Sequence, residues 1–309
     1  MIAIVNLNFN MERIYRLTGL EAGGVYRTVR PFVQAGGKGV NVSRALKTLN
    51  EKSVIFGFSG GRMGSWIEKD LKRRKFKIYL SRCSGESRVC IGIYDPENGK
   101  QTVLNEPGGS VSGHEFGRFA KTFQSKLRGF KAAVFAGSVP PGISPRRYAG
   151  LIKTAKAKTG ITIVDTGGEY LVQAVNAAPS AIKVNLEEWE TAHGKKLGSV
   201  DEIEKSARRA LLNGVGCVII TMGSAGFLYF SGEGSYKVSV PKVKVVNAVG
   251  CGDAMTAALA KGMVNSWGSR KAARYCAAVS VASALTAVPC MIKAGDVKRI
   301  EKNIRITEI

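Results

Sequence analysis

The chain has 309 residues, 45% apolar and 22% charged, which is ordinary globular usage and excludes a disordered or fibrous protein. Its 46 Lys and Arg against 23 Asp and Glu give a formal charge of +23, which invites an anionic partner. The basic residues are spread along the whole chain without a zinc-finger or RNA-recognition signature, so nucleic acid is not the expected partner.

In chain order, residues 2–7 are an apolar run without the basic flank and long core of a signal peptide, and read as a strand. A Gly-rich stretch, 36–39, then opens a helix over 40–49, and 53–58 reads as a second strand. The basic stretch 69–77 carries apolar residues at helical spacing, as the solvated face of an element does, and 298–305 reads the same way. Residues 88–104 read as a hairpin, 89–95 and 101–104, with Asn98-Gly99 in its turn.

Helix signals follow. Ser112 with Glu115 and Ser199 with Glu202 each predict a capping box. Ser144-Pro145 predicts an N-cap with Pro at the first helical position, and Asn213-Gly214 a helix stop. Between them, 132–136, 161–165, 182–185 and 217–221 are short, continuous apolar runs, the pattern of strands covered on both faces. A further strand is expected at 242–246, followed by an Ala-rich helix over 254–263. The uncharged stretch 276–292 is too short and too often interrupted by polar residues to span a membrane, and reads as a buried helix. Six cysteines, at 83, 90, 217, 251, 276 and 290, include no CxxC pair, and only two histidines accompany them. Reduced thiols without a zinc site are expected, in a soluble, cytoplasmic protein.

Alternating strand and helix predicts an α/β fold with a mostly parallel sheet and ligands at the carboxyl ends of its strands. Residues 13–34 break the alternation, with Tyr15, Val25, Tyr26, Val29 and Phe32 around turn glycines, and so does the hairpin. One domain over 1–309 is expected, with a small sheet lid built from about 9–35 and 87–108.

Four motifs carry chemistry. Gly250, Cys251 and Gly252 precede a helix, where backbone amides and the helix dipole favour an anion. Asp253 beside such a hole suits the removal of a proton from an attacking hydroxyl, or is a plain helix cap. A helix start lowers a thiol pKa, which would make Cys251 reactive; otherwise it is a small packing residue. Gly36-Gly37-Lys38-Gly39-Val40-Asn41 places a lysine at another helix start without Walker A spacing, to hold an anion or to sit in solvent. Asn185 and Glu188 are three apart after a strand, which suits Mg²⁺ held largely through water and phosphates, or equally an N-cap with its N3 Glu. Thr221, Gly223 and Gly226 form a glycine turn at a strand's carboxyl end. Together these features suggest phosphoryl transfer.

The order of these blocks resembles the PfkB (ribokinase-like) carbohydrate kinases from end to end. The resemblance rests on Gly36–Asn41, Gly57-Phe58-Ser59-Gly60-Gly61 with Gly64, and Gly137-Ser138-Val139-Pro140-Pro141-Gly142. It continues through Lys183-x-Asn185-x-x-Glu188, Thr221-x-Gly223-x-x-Gly226 and Gly250-x-Gly252-Asp253. Asn6-Leu7-Asn8, Ser87-Arg88-Val89-Cys90-Ile91 and Asn105-Glu106-Pro107-Gly108 are similar to the 1-phosphofructokinase and tagatose-6-phosphate kinase branch.

The resemblance implies a ribokinase-like three-layer α/β/α sandwich with a small β-sheet lid. It implies ATP and Mg²⁺ as cofactors, and a phosphorylated ketohexose as acceptor, tagatose 6-phosphate or fructose 1-phosphate. Asp253 would be the base, and the amides of Gly250, Cys251 and Gly252 the anion hole. Lys38, Arg88 and Ser138 would hold the phosphate already on the sugar, Glu12 and Asn41 its hydroxyls, and Gly37 would also belong to the substrate site. Lys183, Asn185, Thr221, Gly223 and Gly226 would bind ATP, with Asn185 and Glu188 organising the metal. A homodimer through the lid is also implied.

Glu12 stands where the family usually has Asp, and Phe9 and Val184 replace common prolines. These changes bear on the sugar pocket, so a kinase of another sugar or nucleoside, or a non-catalytic ligand-binding relative, are the alternative readings.

Overall fold

Strands whose side chains are apolar on both faces need helices on both faces, and the main sheet has them. The computed structural model describes residues 1–28, 30–97 and 99–309, so Val29 and the Asn98 of the expected turn lie outside the described residues. The chain opens with β1 (Ile2–Val5), β2 (Asn10–Arg16), β3 (Phe32–Gly36), α1 (Lys38–Thr48), β4 (Ser53–Gly60), α2 (Gly61–Arg73) and β5 (Ile78–Cys83). It continues through β6 (Arg88–Tyr94), β7 (Gln101–Asn105), α3 (Gly113–Lys126), β8 (Ala132–Ala136), α4 (Pro145–Thr159), β9 (Thr162–Asp165) and α5 (Gly168–Val175). Next come β10 (Ala181–Asn185), α6 (Leu186–His193), α7 (Val200–Leu212), β11 (Cys217–Thr221), β12 (Phe227–Ser231) and β13 (Gly234–Ser239). The last elements are α8 (Cys251–Val264), α9 (Ser269–Ala284), α10 (Ala294–Glu301) and β14 (Arg305–Glu308).

Ten strands form the main sheet in the order β14-β13-β12-β11-β10-β9-β8-β1-β4-β5. From β11 to β5 every neighbour is parallel, while β12, β13 and β14 add an antiparallel edge. Alternation along each strand divides the core. Ile2, Ile4, Ile55, Val134, Ile163 and Ile219 pack with α1, α8 and α9 on one face. Ala3, Val5, Phe56, Phe135, Val164 and Val218 pack with α3, α4 and α7 on the other. Each fully buried Val, Ile or Phe contributes about 1.5–3 kcal/mol of transfer free energy, so this three-layer α/β/α arrangement follows from the strand pattern itself. A second sheet, β3-β2-β6-β7, is assembled from the two segments that break the alternation. In it β2 runs parallel to β6, with Asn10 opposite Arg88 and Glu12 opposite Cys90.

Most local expectations are met. Ser112 and Glu115 form a reciprocal capping box, Ser144 caps α4 with Pro145 at its start, and α7 stops at Asn213 and Gly214. Three expectations are corrected. Ser199 accepts from the Glu202 N–H, but the Glu202 carboxylate accepts from Gly198 at 2.8 Å, so the box is only half made. Residues 242–246 form no strand; at their end the Val246 and Asn247 N–H groups donate to the Ala284 carbonyl at 2.8 and 3.1 Å, so the chain is tied to the end of α9. The helix expected over 276–292 ends at Ala284, and the chain turns through Pro289 and Cys290, whose φ is 63°. The helices expected at 40–49 and 254–263 begin earlier, at Lys38 and Cys251, so both glycine motifs sit directly on helix starts. Among the described residues no helix is long and apolar enough to cross a membrane.

Candidate active site

The glycine motifs, the end of β9 and the end of β10 converge on one cleft at the carboxyl ends of the parallel strands. The first motif is seated on Asn6, just past β1. Asn6 Oδ1 accepts from the Gly39 N–H at 2.9 Å. A Cβ on Gly37 would lie 2.7 Å from Asn6 Oδ1, and one on Gly39 would lie 2.5 Å from Asn6 Cβ. Gly37 also has φ 124°, so only glycine fits the loop that aims the first turn of α1 into the cleft.

Two residues of that turn reach acids. Lys38 Nζ donates to Asp165 Oδ1 at 2.9 Å and to Glu188 Oε1 at 3.1 Å. Asn41 Nδ2 donates to Asp253 Oδ2 at 2.8 Å. Asp165, at the carboxyl end of β9, is wholly buried and also accepts from Lys183 Nζ at 2.9 Å and Thr256 Oγ1 at 2.7 Å. Burial alone would raise its pKa. The ammoniums of Lys183 and Lys38 overcome that and hold the carboxyl far below its ordinary range.

Asp253 lies in the first turn of α8, 6% exposed. Burial and the nearby Asp165 charge push its carboxyl up to about 6, against the pull of Lys38, Lys183 and the Asn41 amide. Gly250 caps α8 in the left-handed region, φ 81°, and leaves the first-turn amides at the helix start. A Cβ on Gly252 would lie 2.7 Å from Lys183 Nζ, so this glycine lets the lysine approach the helix start. The thiols of Cys251 and Cys290 flank the turn. Burial and Asp253 push the Cys251 thiol up to about 11, which corrects the expectation that the helix start lowers it. Cys290 is also pushed well above its ordinary value by burial, so both stay protonated.

A second cluster joins the small sheet to β8. Arg88 donates to the Glu106 carbonyl at 3.0 Å and to Ser138 Oγ at 3.2 Å, and Asn8 Nδ2 donates to the same Oγ at 3.2 Å. Lys38, grouped with Arg88 and Ser138 by the sequence reading, turns its ammonium to the two acids. Its stalk stays close, with Lys38 Cβ 3.6 Å from a Cβ built on Gly137. Asn10 Oδ1, Arg88 Nε and Asn6 Nδ2 are buried without a hydrogen-bond partner in the protein. Unmet buried polar atoms of this kind suit a polar ligand. Glu12, on β2, accepts from Gln34 Nε2 at 2.6 Å.

Asn185 and Glu188 do form the capping box that their spacing equally predicted. Asn185 Oδ1 accepts from the Glu188 N–H at 2.7 Å, and Glu188 Oε2 accepts from the Asn185 N–H at 3.0 Å. Thr221 pairs in register with Asn185 on the neighbouring strand, so the third and fourth motifs lie side by side. Gly226 is fixed at φ 93°, where a Cβ would lie 1.9 Å from the Val238 carbonyl oxygen. Among the described residues no group of three or more His, Cys, Asp or Glu is placed to cage a metal.

Sequence reasoning missed three residues of this cleft. Asp165 is an acid ending an apolar strand, which is the signal that was there to be used. Arg44 is a lone charge within the buried run Val40, Val42, Ala45 and Leu46 of α1. Gln34 is fully buried on β3, and nothing local marks it.

Comparisons with known proteins give the family and the fold. The model of the pfkB family carbohydrate kinases matches residues 5–290. The chain is 28% identical over 312 residues to a tagatose-6-phosphate kinase of Staphylococcus epidermidis, covering 100% of both chains. It is 31% identical over 263 residues to the 1-phosphofructokinase of Bacillus subtilis, covering 85% of this chain and 86% of that one. The tetrameric inhibited form of phosphofructokinase-2 from Escherichia coli superposes with a TM-score of 0.89 at 23% identity, covering 98% of each chain.

Proposed function

The chain belongs to the pfkB family of carbohydrate kinases, and from that premise we propose that it transfers a phosphoryl group from ATP to a hydroxyl of a phosphorylated ketohexose. Tagatose 6-phosphate and fructose 1-phosphate are the acceptors suggested by the named relatives.

The observation that carries this reading is a buried aspartate with a raised pKa beside a glycine-capped helix start. A carboxyl near 6 is mostly ionised at neutral pH yet basic enough to take a proton. Asp253 removes the proton of the acceptor hydroxyl as that oxygen attacks the γ-phosphorus, and the bond from the γ-phosphorus to the β,γ-bridging oxygen breaks to release ADP. The amides of Gly250, Cys251 and Gly252, at the positive end of α8, stabilise the charge on the transferred group. Lys183, close against Gly252, adds a cation there.

Arg88 and Ser138 hold the phosphate already on the sugar. Lys38, whose stalk adjoins Gly137, joins them by exchanging a carboxylate contact for a phosphate one. Glu12 and Asn41 bind sugar hydroxyls, and Gly37 lets the substrate approach the loop closely. Lys183, Asn185, Thr221, Gly223 and Gly226 form the ATP side.

Mg²⁺ fits the donor set only as an ion held mainly by water and phosphate oxygens. Glu188 and Asp165 already converge on one cation, the Lys38 ammonium, while both Glu188 oxygens and Asn185 Oδ1 have protein partners. Glu188 and Asn185 are the residues that would hold it, and its charge would offset that of the phosphates. The small sheet closes over the sugar and excludes water. It also pairs two copies of the chain, as its exposed Phe32, Val103 and Leu104 suggest.

The test is ADP release with Mg-ATP and a panel of fructose 1-phosphate, tagatose 6-phosphate, fructose 6-phosphate, fructose, ribose and adenosine. Turnover on a phosphoketohexose is expected. Turnover confined to neutral acceptors would overturn the role of Arg88 and Ser138, and silence across the panel would overturn the acceptor class.

A further inference from the structure

A continuous chain of hydrogen bonds runs through the protein from the small sheet to the proposed base. Glu12 Oε2 accepts from Gln34 Nε2 at 2.6 Å. Gln34 Oε1 accepts from Arg44 Nη2 at 3.2 Å. Arg44 Nη1 donates to Asn41 Oδ1 at 2.8 Å and to the Pro289 carbonyl at 3.1 Å. Asn41 Nδ2 then donates to Asp253 Oδ2. Gln34 is fully buried and Arg44 is 6% exposed, so the middle of this chain is shielded from water, while Glu12 and Asn41 at its ends are half-buried. A guanidinium this deep is costly unless its donors are used, and three acceptors use them.

We propose that Arg44 is a positioning residue, which locks the Asn41 amide with its Nδ2 end on Asp253 and ties that orientation through Gln34 to Glu12 on the small sheet.

The physical reason is the asymmetry of the two groups. Guanidinium only donates, so it accepts no partner but the oxygen end of the Asn41 amide. The nitrogen end must then face Asp253. This constraint matters most after Asp253 has taken the hydroxyl proton. A neutral carboxyl donates as well as accepts, and an unrestrained amide would be free to turn its oxygen toward it. With Asn41 Oδ1 held by Arg44, the carboxyl keeps one orientation through the transfer. The same guanidinium braces the loop behind the anion hole. Pro289 is where a Cβ on Gly250 would land, 3.0 Å from Pro289 Cβ, and Cys290 Sγ donates to the Gly250 carbonyl at 3.2 Å. At the other end, Gln34 presents its amide nitrogen to Glu12 because Arg44 holds its oxygen. One residue on α1 thus sets the register of a sugar contact and of the base together.

This inference rests on Asp253 being the base, and the test separates the two. The full chain and its Arg44→Met and Arg44→Lys variants are compared by kcat, by KM for each substrate, and by the pH at which the acid limb of kcat/KM falls. The 13C NMR titration of the Asp253 carboxyl is measured without substrate. Arg44→Met is expected to lower kcat by about 10²-fold, the cost of a small misplacement at the reacting atoms, with KM for ATP little changed. Its Asp253 carboxyl titrates at higher pH, because the carboxylate has lost a fixed donor and a nearby cation. Arg44→Lys keeps the charge without the fork, and is expected to fall between the two. Should Arg44→Met fail to fold, Arg44→Lys carries the same readouts. An unmoved acid limb and carboxyl titration, with kcat within about threefold of the parent chain, would overturn the proposal. Absence of turnover in the parent chain would instead overturn the acceptor class, and the carboxyl titration alone would then decide whether Arg44 positions Asp253.

Discussion

The end of β9 and the first turn of α8 each bury an aspartate, and the two are driven in opposite directions. Asp165 accepts from two lysines and a threonine, and is held ionised far below the ordinary carboxylate range. Asp253 accepts from an amide, faces the Asp165 charge, and is pushed up to about 6. Burial penalises both, so burial does not separate them. The partners do: adjacent ammoniums hold one acid ionised, and a neutral donor with a like charge nearby leaves the other raised, as the proposed base requires.

The sharpest way to break this contrast is to remove one charge at a time. Asp253→Asn keeps the shape and the Asn41 contact distance but not the basicity. Its kcat is expected to fall by about 10²- to 10⁴-fold in a steady-state assay, with the fold intact by circular dichroism. Retained turnover would end the assignment of Asp253.

Asp165→Asn should do the reverse and act first on stability. It leaves the ammonium of Lys183, 5% exposed, without a counter-charge, while Lys38, 35% exposed, is screened by solvent. A loss of about 3 kcal/mol in urea unfolding at neutral pH is expected. The pH dependence of stability differs in sign as well. The lowered pKa of Asp165 contributes stability above the unfolded value near 3.8, which is lost as pH falls. The raised pKa of Asp253 makes the folded state bind the extra proton, so its contribution declines as pH rises from 3.8 toward 6. Asp253→Asn should therefore gain stability relative to the parent chain over that interval, which pH-dependent urea unfolding will show.

A smaller effect is expected from the backbone that carries the base. Gly250→Ala forces a Cβ into the left-handed region, 3.0 Å from Pro289 and 3.1 Å from Cys290 Sγ. A loss of about 1–2 kcal/mol is expected from the backbone conformation alone, read as a lower thermal midpoint.

The layers of the fold were legible because the strand runs are apolar on both faces and the helix caps are local signals. Ser112 and Ser144 each need only three following residues to act. The strand expected at 242–246 is absent because local composition states only a preference, and the Val246 and Asn247 N–H groups bond the end of α9 instead. The end of α9 was misread for a similar reason. The uncharged run continues past Ala284, but Pro289 and the left-handed Cys290 turn the chain back to Gly250. In the site, glycines announced both helix starts, since a close approach excludes a side chain. Asp165, Gln34 and Arg44 were not announced. Arg44 has near partners in Asn41 and Gln34, but the contacts of Asp165 with Lys38, Lys183 and Thr256, of Gln34 with Glu12 and of Arg44 with Pro289 span 18 to 245 residues, and no local window contains those.

The pH dependence of kcat/KM for the accepted sugar phosphate tests the central contrast most directly, because it reports the base of the free enzyme. An acid limb falling below about pH 6 is expected, from a single titrating group that is lost in Asp253→Asn. A profile that stays flat down to about pH 4, the range of an ordinary carboxylate, would contradict the assignment of Asp253 as a base raised by its surroundings.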